Sequence, residues 1–222
     1  MTILEIYNKY KIMPSLQLHM FRVAGVASVI CENFKQPELI NQDDIVSACL
    51  LHDMGNIIKF DLALFPQFLE PEGYDYWKGV QDEFINKYGN DEHIATYTIA
   101  KEIGVSKAVQ QVIASVGFSN SEKNFRSQDY NNKIAAYADF RVAPSGVESL
   151  ENRLKDGRER FVKNKMHTYN PKLDKFDELS EYIYKLEKQI FEKSRIKPFN
   201  ITERLVSDKF EEIKKLQLSL EF

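Results

Sequence analysis

Apolar side chains recur along the chain at intervals of three and four residues almost throughout, and strict alternation is scarce. That period belongs to helices buried along one face, so the sequence predicts an all-α protein. The expected helices cover roughly residues 2–10, 14–34, 42–56, 76–88, 91–103, 106–117, 128–143, 146–165, 173–194 and 200–218, with ends placed to within a few residues. Pro14 and Ser15 suit the first turn of the long second segment. Asn41 to Asp44 puts side-chain acceptors and negative charge ahead of Ile45, where unpaired N–H groups need them. Gly104 followed by Val105 and Ser106 reads as a helix stop and a new N-cap, which predicts a tight helical pair. The stretch from Asp61 to Tyr76, with Pro66, Pro71 and Gly73, is the longest irregular connection and has the character of a lid. Phe60, Phe65, Phe68, Tyr74, Tyr76 and Trp77 surround it, as rings that pack a loop onto helices.

A softer break at Met166 to Lys172, containing His167 and Pro171, divides the chain into two parts. Residues 1–165 form the expected main domain. Residues 166–222 form a C-terminal helical extension that packs on the core or mediates contacts in a homodimer. Together they give a bundle of about eight to ten helices with its extension. No internal repeat interrupts this plan.

Composition narrows the class of function. With 222 residues, 43% hydrophobic and 28% charged, the chain can bury one substantial core and is not disordered. The total charge of −3 is nearly neutral, and the excess of basic over acidic residues in 151–222, 17 against 14, is too small to mark a nucleic-acid-binding arm. The basic cluster Arg153, Lys155, Arg158, Arg160, Lys163 and Lys165 reads as a solvated helix face. No apolar run is long enough to span a bilayer, and Met1 to Lys11 lack the layout of a secretory signal, so a cytoplasmic protein without membrane contact is expected. Cys31 and Cys49 fall in apolar helical patterns and read as small buried side chains. A glycine-rich P-loop and a nucleophile elbow are both absent from the sequence.

Four residues stand out because they are costly to bury yet fall on apolar helical stripes. His19 shares a face with Leu16, Val23, Val26 and Ile30. His52 follows Ile45, Ala48 and Cys49, with Asp53 beside it. Asp139 lies between Ala135 and Val142. Singly, each has an ordinary reading: an inward histidine can be a satisfied core residue, and Asp139 can cap a helix or pair with Arg141. Together they suggest one divalent cation held by two neutral imidazoles and two carboxylates, since isolated buried charges are too costly to keep.

At these residues the chain resembles the HD-domain superfamily of metal-dependent phosphohydrolases, which are all-helical and carry an H…HD…D signature. Leu18-His19-Met20-Phe21-Arg22 is similar to the helix of the first histidine, and Leu50-Leu51-His52-Asp53-Met54-Gly55 to the HD segment. Ala138-Asp139-Phe140-Arg141 is similar to the helix of the last aspartate. The resemblance covers roughly residues 14–165. It implies His19, His52, Asp53 and Asp139 as ligands of one Mn, Fe, Co, Ni, Zn or Mg ion, and a small phosphorylated substrate such as a nucleotide. Asp53 would also take a proton from the attacking water.

Departures from the family pattern sharpen the expectation. Many members have a lysine where this chain has Asn56, so the phosphate-facing charge falls to Lys59 or Arg22, with Asn56 itself at the substrate. Ser115-Val116-Gly117-Phe118 stands where the cyclic-dinucleotide branch has paired histidines; one metal is therefore expected, and that activity is not. His93, at a helix start, resembles the extra histidine of some members and is a candidate proton donor. Asp61 reads as a loop residue, and His167 as a surface one. The alternative function is a catalytically silent HD-fold module that binds a ligand or signals.

Overall fold

The structure is a computed structural model that describes residues 1–163 and 171–218; His167 and most of the break around it lie outside the described residues. The chain is all-α apart from one two-residue hairpin. At its centre is helix α2 (Pro14–Glu32), which follows α1 (Ile3–Lys9) and opens on Pro14 at its first turn. Met20, Val23, Ala24, Val26, Ala27 and Ile30 are fully buried, so α2 is apolar over most of its circumference. It packs against α3 (Gln42–Leu51) and α8 (Tyr130–Asp139), which also touch each other.

Between these two, α4 (Tyr74–Tyr88), α5 (Glu92–Ile103), α6 (Lys107–Ser115) and α7 (Ser121–Arg126) complete the core domain. The predicted α5–α6 pair forms as its punctuation demands. Gly104 takes the left-handed conformation at φ 84°, and the Ser106 side chain accepts from Val109 N. Asn41 caps α3 by accepting from Asp44 N. In the irregular connection, Trp77 is buried and its indole N–H donates to Leu69 O at 3.1 Å.

Four boundaries differ from expectation, each for a local reason. The helix expected over 42–56 leaves α-geometry at Leu51 and continues through i→i−3 bonds, Met54 N to Leu51 O and Asn56 N to Asp53 O. The helix expected to reach residue 143 stops at Asp139, because Pro144 drives the preceding residue toward extended backbone. There β1 (Val142–Ala143) and β2 (Gly146–Val147) form the hairpin, with Gly146 at φ 141°. This delays α9 (Leu150–Lys163), whose first turn is capped by Ser149 Oγ accepting from Asn152 N. The helix expected over 200–218 divides into α11 (Glu203–Ser207) and α12 (Phe210–Ile213), and at the turn between them Lys209 pairs with Glu32 of α2. The short α7 lies in a stretch where no helix is predicted.

Helix α10 (Pro171–Glu192) lays Leu179, Ile183, Leu186 and Ile190 against α7 and α8, while α11 and α12 cover α2. Arg141 is 3% exposed and ties these layers together. Its guanidinium donates to Tyr137 Oη at 2.8 Å and to the carbonyls of Pro198 and Ile201, both at 3.2 Å. The pairing with Asp139 weighed from sequence therefore does not form.

The α2–α11 contact depends on the absence of a side chain at Gly25. A Cβ there would stand 2.7 Å from Val206 Cγ1 and 3.0 Å from Val206 O. Helix propensity alone makes Gly25→Ala stabilising by about 0.5–1 kcal/mol. The overpacking outweighs it, and we expect a net loss of about 1–2 kcal/mol in chemical denaturation. Adding Val206→Ala should recover part of that loss; a Gly25→Ala protein more stable than the parent would refute the contact.

Candidate metal centre

Three separate pieces of chain bring the four predicted ligands together. His19 projects from α2, His52 and Asp53 from the tightened turn after α3, and Asp139 from the last residue of α8. His19 Nε2 lies 3.2 Å from Asp139 Oδ1 and 3.5 Å from Asp53 Oδ2. His52 Nε2 lies 3.4 Å from the same Asp139 oxygen and 3.5 Å from the same Asp53 oxygen. The imidazole centroids are 5.4 Å apart. His19, His52 and Asp53 each place a ligand atom within 4.8 Å of the others.

The local structure explains this convergence. Gly55 packs directly on the start of α5, where a Cβ would meet Glu92 O at 2.5 Å and Thr96 N at 2.9 Å. Its N–H donates to Thr96 Oγ1 at 2.9 Å. Glycine is therefore required two residues after Asp53 by close backbone approach, and the same approach fixes the turn that presents His52 and Asp53 side by side.

His52 is held by the backbone on one side and faces carboxylates on the other. Its Nδ1 lies 2.8 Å from Cys49 O, a group that can only accept, so Nδ1 bears the proton. Nε2 is buried and makes no hydrogen bond. A backbone-anchored imidazole with its other nitrogen aimed at two carboxylates has the arrangement of a metal-ligating histidine. The mixed nitrogen and oxygen set fits a divalent transition metal. Asp53 and Asp139 side chains are 20% and 22% exposed, which leaves the cluster open on one side.

The charges of His52 and Asp139 respond to one another's proximity. Burial pulls the His52 pKa down, but the carboxylates of Asp53 and Asp139 overcome it and push it up to about 9. Burial works against the Asp139 charge, yet the two histidines hold its carboxyl well below the ordinary range.

The remaining candidates fall into two groups. Arg22, one turn beyond His19, gives its Nε to Glu203 Oε1 at 2.8 Å. Lys59 and His93 gather on Glu92, with Lys59 Nζ 3.1 Å and His93 Nε2 3.7 Å from Oε1; the His93 side chain is largely exposed. Neither residue shares a hydrogen bond or ion pair with the four-residue cluster. Asn56 is buried, and its side chain makes no hydrogen bond among the described residues. Asp61 Oδ1 accepts from Ala63 N, the turn role read from sequence. Sequence reasoning missed Glu92, Thr96 and Glu203. Glu92 adjoins a residue already singled out, whereas Glu203 lies 181 residues from its partner and has no local signal.

A family model of the HD domain matches residues 17–141, more than half of the chain and the span that holds all four clustered residues. The chain belongs to the HD-domain family, whose domains bind divalent metals. No curated protein and no solved structure matches it. Among the described residues no helix is long and apolar enough to cross a membrane.

The raised His52 pKa gives a pH signature. In chelator, the stability contributed by its folded-state proton is complete below the unfolded value of 6.5 and is lost as pH rises through about 9. Divalent metal competes with that proton, so its stabilising effect grows over the same window. Thermal melting with chelator and with manganese should diverge toward higher pH, and His52→Gln should abolish the divergence. A metal-induced shift that shrinks with rising pH would count against the assignment.

Proposed function

We propose that this protein is a metal-dependent phosphohydrolase acting on a small phosphorylated compound, with nucleotides as the substrate class. The observation that carries this reading is the buried Nε2 of His52, 3.5 Å from Asp53 and 3.4 Å from Asp139 beside the His19 imidazole. His19, His52, Asp53 and Asp139 would hold one Mn, Fe, Co, Ni, Zn or Mg ion. Such a cation supplies a water of lowered pKa and polarises a phosphoryl oxygen.

The chain's own residues supply the rest. Asp53 turns Oδ2 to both imidazoles, leaving Oδ1 to accept the proton of the attacking water. Asn56, one turn from Asp53 and unpaired, offers an amide to the phosphate. Arg22 offers the N–H groups that Glu203 does not take. Lys59 lies on the rim of the HD turn, where its charge attracts an anionic substrate. His93 sits on the same rim and is the proton donor to the leaving group.

A second reading, a binding module without turnover, has one observation in its favour: Arg22 and Lys59 already face carboxylates, Glu203 and Glu92. An intact four-residue cluster weighs against it, because a module that only binds ligand has no need of four groups so costly to bury.

Replacing Asp53 by Ala decides between them. We expect metal content to fall from about one per chain to near zero, and hydrolysis of nucleoside monophosphates and a chromogenic phosphodiester to drop about a thousandfold or more. Circular dichroism should show the helices retained. Metal-loaded parent protein that hydrolyses none of these substrates would favour the binding module, and an active, metal-loaded Asp53→Ala protein would remove the site.

A further inference from the structure

Glu203 lies outside the segment matched to the HD domain, at the first residue of α11. Its carboxylate serves two partners. Oε1 accepts from Arg22 Nε and Oε2 from the backbone N–H of Val147, both at 2.8 Å. The approach is close enough that a Cβ on Gly146 would stand 2.9 Å from Oε2. Arg22 follows His19 by one turn on the same face of α2. The hairpin begins three residues after Asp139. One carboxylate therefore joins the helix of the first clustered residue to the second strand of the hairpin that follows the last.

Arg22 itself is unusual. Its side chain is only 15% exposed, yet among the described residues neither Nη atom makes a hydrogen bond. Four N–H donors remain at the solvent-reached end of a permanently charged fork, one turn from a cluster that faces phosphate in the reading above. A phosphoryl group offers two oxygens in geometry that matches such a fork.

We propose that Glu203 is a positioning residue, which holds the Nε edge of Arg22 so that both Nη groups face the substrate's phosphate. The C-terminal segment thereby becomes part of the substrate site. This inference rests on the phosphohydrolase reading. The opposite role, a carboxylate that competes with phosphate for Arg22, makes the opposite prediction and is distinguished by the same experiment.

The test is inorganic phosphate binding to the manganese-loaded full chain, measured by calorimetry, with manganese content and melting temperature followed in parallel. Glu203→Ala should weaken phosphate about tenfold or more, as expected for losing alignment of a charge-assisted pair, while manganese content is unchanged. Glu203→Gln, which keeps one of the two acceptors and sets its amide NH2 against the other donor, should fall between the parent and Glu203→Ala. In an Arg22→Ala background, Glu203→Ala should add nothing, since a residue acting through Arg22 has no effect without it. If Glu203→Ala melts below the assay temperature, Glu203→Met, with similar bulk and no acceptor, makes the same comparison. Phosphate binding that is unchanged or tighter in Glu203→Ala, or in Glu203→Met where that variant takes its place, overturns the positioning role alone. A metal-loaded parent that binds no phosphate overturns the phosphohydrolase reading and this inference with it.

Discussion

Two imidazoles and two carboxylates cannot be withdrawn from water one at a time, because each loses more hydration than the fold returns until the others arrive. The architecture is built around assembling them together. α2, α3 and α8 all contact one another, and each delivers its share at a different point along its length: within the helix for His19, just past the end for His52 and Asp53, and at the last residue for Asp139. The ends of α3 and α8 are where the backbone departs from α-geometry. His52 and Asp53 both reach the cluster from the turn that packs through Gly55 against α5.

Those departures mark the limit of what the sequence discloses. The helices, the Gly104–Ser106 junction and the four clustered residues were legible, because periodicity, caps and buried charge act over a few residues. The early end of α3 was not, since it depends on Glu92 and Thr96, some forty positions away, meeting a residue without a Cβ. Pro144 is a local signal in the sequence against a helix that reaches residue 143. Asp139 and Arg141 look like an ion pair in the linear chain. In the fold, Asp139 turns to the histidines and Arg141 to Tyr137 and the carbonyls of residues 198 and 201.

The segment from Pro198 to Ile213 is a second organising element. Arg141, two residues past Asp139, holds its start through carbonyls; Glu203 reaches Arg22 and Val147; Val206 fills the groove over Gly25; Lys209 returns to Glu32. Through these contacts α11 and α12 pack on α2, which also packs against α3.

The pairing of Arg22 with a residue 181 positions later also has a consequence for how the molecule is made. During synthesis α2, α3 and α8 all emerge well before α11. Until then α2 shows Gly25 and its apolar neighbours to solvent, a surface that invites non-native association. Native closure waits on contacts of very long sequence separation, including Thr2 with Gln217 and Phe34 with Ser194. Topology of this kind slows folding whatever the final stability. The metal-binding half of the chain thus emerges early and is locked late, and a ribosome stalled before residue 198 would hold the four polar residues without the strap that secures their helices.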